Sequence, residues 1–176
     1  MRRIIAILLL AAVLCGCGVA CDTGVPPPGA DEDIGELYRD ITVYRQNGEA
    51  VRLSDFIGVP IVMNFWATWC PPCVIEMPYF SKVDNEIDEV LFLMVNLTDG
   101  VVETPEKVEA FLEDSGLKFN NILLDLDGEA MAKYEIEAIP TTLFINEEGR
   151  IVNTKIGMLT EDELRQEVAV LLRRTV

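Results

Sequence analysis

One stretch, Asn64-Phe65-Trp66-Ala67-Thr68-Trp69-Cys70-Pro71-Pro72-Cys73, constrains this chain more than any other. An apolar run, Ile61-Val62-Met63, leads into it, and a helical pattern leads away. The pattern predicts a strand that hands over to a helix at a pair of cysteines two residues apart. At such a junction the unpaired N–H groups and the positive end of the helix dipole favour a thiolate on Cys70. Cys73 sits one turn on, close enough to attack any mixed disulfide that Cys70 forms. A purely structural bridge closing so small a loop would restrain the unfolded chain little. Half of a zinc site would need a second cysteine pair or histidines, and neither is present. Redox use is the reading that remains.

Composition narrows the function further. The formal net charge is -16 and there is no histidine in the chain. An acidic surface argues against nucleic acid, which rewards basic patches, and reads most simply as a solubility feature. The absence of histidine removes Cys-His nucleophilic catalysis and every histidine metal site. No metal and no cofactor are expected. A length of 176 residues suits one domain with accessory segments.

The N-terminus predicts export. Met1-Arg2-Arg3 followed by the apolar Ile4 to Leu14 has the form of a secretion signal. Leu14-Cys15-Gly16-Cys17 resembles the lipobox of bacterial lipoproteins, which implies a signal over residues 1–16 and lipidation of Cys17. Two alternatives stay open: cleavage after Gly18-Val19-Ala20, or retention of Ile4 to Ala20 as a short membrane anchor. All three place the domain outside the cytoplasm. Cys21 has no evident partner. Residues 17–36 contain Pro26-Pro27-Pro28-Gly29 and the acidic run Asp31-Glu32-Asp33, and they read as a tether.

Residues 37–176 carry the domain. Ile41 to Tyr44 and Val51 to Leu53, around a turn at Asn47-Gly48, predict a β-hairpin. Ser54 to Gly58 reads as a short capped turn, and Pro60 opens the strand that runs to Trp66. After the motif, Met77, Phe80, Val83 and Ile87 keep helical spacing, and Pro78 is expected to kink that helix. Val90 to Leu97 is a near-continuous apolar run, as expected of a strand buried on both faces. Thr104-Pro105 opens a second helix that stops near Gly116, Ile122 to Leu124 is a short strand, and Asp127 starts a third helix carrying Tyr134. Thr141 to Ile145 and Arg150 to Ile156 form an antiparallel pair. Thr160-Glu161-Asp162-Glu163 is a capping box that opens the last helix. The alternation predicts an α/β fold with a mixed sheet.

The motif resembles the active site of the thioredoxin superfamily. The run Cys70-Pro71-Pro72-Cys73-Val74-Ile75-Glu76-Met77-Pro78, together with Ala138-Ile139-Pro140-Thr141-Thr142-Leu143-Phe144-Ile145, is similar to the TlpA/ResA family of membrane-tethered, extracytoplasmic thiol–disulfide oxidoreductases. The resemblance covers about residues 37–174. It implies a thioredoxin-like fold with an N-terminal hairpin and an internal helix-containing insertion. It also implies that Cys70 attacks a substrate disulfide and that Cys73 resolves the mixed disulfide, leaving a redox-active Cys70–Cys73 pair. Trp69 would shield that disulfide, and Pro71 and Pro72 would stiffen the loop and withhold two N–H donors. Ile139-Pro140 would be cis, with Pro140 against the disulfide and the Ile139 backbone offered to an extended substrate.

One position departs from thioredoxin itself, which has a buried aspartate where this chain has Asn64. A neutral amide is no base, so Glu76 is the remaining carboxylate, and the family places an active-site glutamate there. Glu76 lies one turn beyond Cys73, and helical side chains lean towards the N-terminus, so its carboxylate is expected to point at the Cys73 sulfur. Burial would raise its pKa and couple it to the thiol. The plain alternative is an acid that stabilises its helix through the dipole.

The family's usual direction is reduction of protein disulfides, with apocytochrome c as a substrate and a CcdA- or DsbD-like membrane partner as electron donor. The sequence leaves the direction open: an oxidase or isomerase uses the same pair. A Cu(I)-binding lipoprotein is the reading from another class. A peroxiredoxin would require a Pro-x-x-x-Thr-x-x-Cys pattern that the chain lacks.

Overall fold

The computed structural model describes residues 35–173. The segment read as a signal, Cys15, Cys17, Cys21 and most of the segment read as a tether lie outside them. Among the described residues, eight strands form one mixed sheet: β1 (Glu36–Leu37), β2 (Thr42–Arg45), β3 (Ala50–Arg52), β4 (Ile61–Trp66), β5 (Leu91–Asn96), β6 (Ile122–Leu124), β7 (Thr141–Ile145) and β8 (Arg150–Ile156). Their order across the sheet is β1-β8-β7-β4-β5-β6-β2-β3. β4, β5 and β6 run parallel, while β7 lies antiparallel to β4 and puts Thr142 directly across from Asn64. The helices are α1 (Pro71–Asp84), α2 (Pro105–Ser115), α3 (Glu129–Lys133) and α4 (Glu161–Arg173). This is the thioredoxin-like α/β fold that the sequence led us to expect.

The central strands are buried on both faces, which is why they read as continuous apolar runs. On β4, Val62 and Trp66 join one core with Met77, Phe80 and Val83 of α1 and with Leu164, Val168 and Leu171 of α4. Ile61, Met63 and Phe65 point the other way, into a second core with Ile41, Leu53, Leu93 and Ala130. Each large side chain so buried contributes about 1.5–3 kcal/mol. Asn64 falls on the Val62 and Trp66 side by simple alternation, and that side is the one covered by α1.

Local chemistry sets the helix ends. The Thr104 hydroxyl accepts from the Lys107 N–H at the start of α2, and Gly116 ends it in the left-handed region at φ 67°. At the start of α4, Glu163 N–H donates to the Thr160 hydroxyl while its carboxylate accepts from Thr160 N–H. α1 runs through Pro78, which faces solvent. Two elements differ from the sequence reading. α3 begins at Glu129 rather than Asp127, because the buried Asp125 carboxylate accepts from the N–H groups of Ala130 and Met131 and fixes the first turn there. Tyr134 lies just past its end. β1, at the junction of tether and domain, is two residues long and too short to show any alternation.

Candidate active site

The end of β4 and the start of α1 hold the two cysteines. From Trp66 the chain turns through Ala67-Thr68-Trp69, and Cys70 N–H donates to the Ala67 carbonyl at 3.2 Å. Cys70 is the N-cap of α1, with extended backbone at φ -93° and ψ 102°. Pro71 and Pro72 fill the first two helical positions, where a missing N–H breaks no helical hydrogen bond and a fixed φ suits the helix. The N–H of Cys73 therefore becomes the first one offered, and it donates to Cys70 Sγ at 3.3 Å. A sulfur occupies the place of a capping oxygen, at the end of the helix that stabilises negative charge. Cys70 and Cys73 are joined in a disulfide, with their Cα atoms 5.3 Å apart. Cys73 is fully buried and Cys70 is 3% exposed.

The opposite wall comes from the segment before β7. The Ile139-Pro140 peptide is cis, and the Ile139 carbonyl oxygen lies 3.7 Å from Cys70 Sγ. The Pro140 carbonyl accepts from Gly157 N–H at 2.8 Å, which ties this wall to the end of β8.

Glu76 sits beneath the disulfide-bearing turn with no solvent exposure. Its Oε1 accepts from Asn64 Nδ2 at 2.9 Å, and its Oε2 accepts from Leu159 N–H at 2.8 Å. Burial pushes its carboxyl up from 4.5 to about 7, against the opposing pull of the Leu159 N–H and the Asn64 amide. A carboxyl that titrates near neutrality exchanges protons readily at physiological pH. Both of its oxygens are thus held from outside α1, by Asn64 of β4 and by the backbone at Leu159 after β8.

The AhpC/TSA family matches residues 34–154. A thiol–disulfide oxidoreductase ResA from Geobacillus thermodenitrificans is 31% identical over 170 residues, covering 96% of this chain and 92% of the relative. The chain belongs to the AhpC/TSA family, among its ResA- and StoA-type thiol–disulfide oxidoreductases. The crystal structure of StoA from Bacillus subtilis superimposes with a TM-score of 0.64 at 33% identity, covering 74% of this chain and 96% of that one. The pneumococcal exposed lipoprotein thioredoxin of Streptococcus pneumoniae superimposes with a TM-score of 0.61 at 28% identity, covering 76% and 100%. The activity that goes with membership is enzymatic thiol–disulfide exchange.

For such an oxidoreductase the surroundings of the disulfide govern access. Trp69 is 56% exposed and stands at the mouth of a groove of about 260 Å³. Leu97, Met131, Ile136, Ala138 and Ile139 give the groove apolar walls, and Asp99 and Glu137 give it acidic ones. Pro71 and Pro72 are exposed at the start of α1. Among the described residues, no group of three or more Cys, Asp or Glu side chains is placed to hold a metal ion.

Sequence reasoning missed one further residue, Glu103. It is fully buried just before α2. Its Oε1 accepts from Thr68 N–H at 2.7 Å and from Asn96 Nδ2 at 2.6 Å, and its Oε2 accepts from the Thr68 hydroxyl at 2.6 Å. It thereby pins the turn that delivers Cys70 to the end of β5. In the sequence, Glu103 looks like one more acid beside a helix cap, and no local pattern sets it apart.

Proposed function

We propose that this oxidoreductase is an extracytoplasmic, membrane-tethered reductase of protein disulfides. Cys70, as thiolate, attacks one sulfur of a substrate disulfide, and the other sulfur leaves as a thiolate that takes up a proton. Glu76 accepts the proton of Cys73, whose sulfur then attacks Cys70 Sγ and expels the second substrate thiolate. The substrate gains two electrons, and the protein is left with the Cys70–Cys73 disulfide. Trp69, Pro71 and Pro72 line the approach, and the Ile139 backbone receives an extended substrate segment beside Pro140.

The observation that carries the direction is the sparse support for a Cys70 thiolate. One backbone donor, Cys73 N–H, reaches its sulfur; Pro71 and Pro72 supply none, and a carbonyl oxygen lies 3.7 Å away. Strong oxidants of this chemistry owe their potential to a stabilised reduced form, and beyond the end of α1 and this one N–H no further donor reaches Cys70 Sγ among the described residues. A weakly held thiolate favours donating electrons.

Tethering through Cys17 is supported by the lipobox-like sequence and by the likeness to an exposed lipoprotein. No helix among the described residues is long and apolar enough to cross a membrane. A protein that ends each cycle oxidised outside the cytoplasm needs an electron donor in the membrane, of the CcdA or DsbD kind, and apocytochrome c is the substrate class to try first. The deciding measurement is the midpoint potential against glutathione, together with alkylation trapping of the pair in cells. A reductase gives a potential nearer the about -270 mV of thioredoxin than the about -120 mV of DsbA, and a mainly reduced pair. A potential near the DsbA end with a mainly oxidised pair would make it an oxidase.

A further inference from the structure

Asn64 is bonded unevenly. Its side chain is fully buried, and its amide nitrogen donates twice, to Glu76 Oε1 at 2.9 Å and to Thr142 Oγ1 at 3.0 Å. Its own oxygen, Oδ1, is buried with no hydrogen-bond partner among the described residues. Buried side-chain oxygens are paired in the large majority of cases, so an orphan beside a titrating carboxyl calls for a physical reason.

The surroundings of Glu76 supply one. Leu159 N–H is a backbone donor held in place by the chain, so Oε2 must remain an acceptor whether Glu76 is charged or neutral. A proton taken up by Glu76 therefore belongs on Oε1, where it faces Asn64. With Nδ2 in its present place, that proton would meet another donor. Turning the amide over exchanges the two atoms and presents Oδ1 to the carboxyl O–H. Thr142 suits both settings, because its hydroxyl accepts from Nδ2 or donates to Oδ1. The far edge of the amide has no partner among the described residues, so reversal trades an unpaired oxygen for an unpaired NH2, a cost that O–H donation to Oδ1 from both Glu76 and Thr142 must offset.

We infer that Asn64 is a positioning residue for proton exchange at Glu76: a reversible amide that turns over as the carboxyl gains or loses its proton and gives each form a partner. A fixed donor at this place would favour the carboxylate alone, and a fixed acceptor the acid alone. The groups that face Glu76 are Asn64 from β4, the Leu159 backbone from the segment after β8 and, through Asn64, Thr142 from β7. Cys73 on its own helix is locked in the disulfide and does not titrate in this form. No neighbouring charge moves the carboxyl; burial is what raises it to about 7, which sets the turnover near neutrality. The consequence for thiol exchange rests on the role proposed for Glu76, whereas the reversal itself belongs to the oxidised protein.

The test is an NMR titration of the oxidised full chain from about pH 5 to about pH 9, following the Glu76 carboxyl carbon and the cross-relaxation between the Asn64 amide protons and the Thr142 methyl group. Above the Glu76 midpoint the Asn64–Thr142 cross-peak should be strong, and below it weak. Asn64→Leu should raise the midpoint by about one pH unit, a tenfold change in the protonation equilibrium, because a charge-assisted hydrogen bond is lost along with a weaker neutral one. Asn64→Asp should split the titration into two steps, as a second carboxyl couples to the first. A cross-peak unchanged through the titration overturns the inference, and so does an unchanged midpoint in a folded Asn64→Leu protein. If that variant does not fold, the cross-peak in the parent decides alone. An alkylation pH profile left unmoved by Glu76→Gln would defeat the thiol role of Glu76 without touching these readings.

Discussion

Replacing Glu76 with glutamine isolates the free energy of burying a carboxylate beside the active-site disulfide. The folded protein takes up this proton at about 7, where an ordinary glutamate does so near 4.5. Between those values the folded state binds more protons than the unfolded state, so stability falls as pH rises. The stabilisation is fully present below about 4.5 and gone once the pH has passed about 7. At about 1.4 kcal/mol per pH unit, the loss amounts to about 3 kcal/mol. Glutamine keeps the shape without the charge. Its oxygen can accept from Leu159 N–H, and its nitrogen faces Asn64, whose reversed amide offers an oxygen. The oxidised variant should therefore match the parent within about 1 kcal/mol at about pH 4.5 and exceed it by about 2–3 kcal/mol at about pH 8. Urea unfolding at the two pH values reads the difference directly. With a denaturant slope of about 1–3 kcal/mol per molar, the midpoints should separate by about 1 M or more at the higher pH. Stability curves that run parallel for parent and variant across this range would refute the reasoning, because they would mean that the carboxylate loses nothing on burial.

Two other outcomes follow from the same geometry, and a third from the N-terminal sequence. Cys73→Ser should accumulate mixed disulfides through Cys70, seen on non-reducing gels; if Cys70→Ser traps more partner, attacker and resolver are exchanged. Glu103→Ala leaves the Thr68 N–H, the Thr68 hydroxyl and the Asn96 amide without their acceptor, at about 1–3 kcal/mol for each buried group left unpaired. It should lower stability by about 3 kcal/mol or more and change the alkylation rate of Cys70, and an unfolding midpoint equal to the parent's would count against the pinning role. Cys17→Ser should yield a protein without lipid mass and released from the membrane, and a mature N-terminus at Met1 or Cys21 would contradict the lipoprotein reading.

The strand, the turn, the cysteine pair and the helix that follows are all legible in the sequence, because each of these is written in neighbouring residues. Ile61 to Trp66 reads as strand since both of its faces are covered, and Pro71 and Pro72 start a helix by their fixed φ and missing N–H. Thr104 and Thr160 announce their helices by the hydrogen bonds that they offer locally. The second motif, Ile139-Pro140, was legible only through resemblance, since nothing near it in the chain places it 3.7 Å from Cys70. What surrounds Glu76 was not legible at all. Its partners come from 12 residues upstream at Asn64 and 83 residues downstream at Leu159, and Thr142 reaches Asn64 across 78 residues. Glu103 finds Thr68 across 35 residues in the same way. Helical spacing placed Glu76 on the correct face, but a carboxyl's pKa depends on how much water is removed and which donors replace it. Both are set when α1, β4, β7 and the turn into α4 close around it, so the direction of the shift could be expected from helical spacing while its size, to about 7, comes from groups distant in the chain.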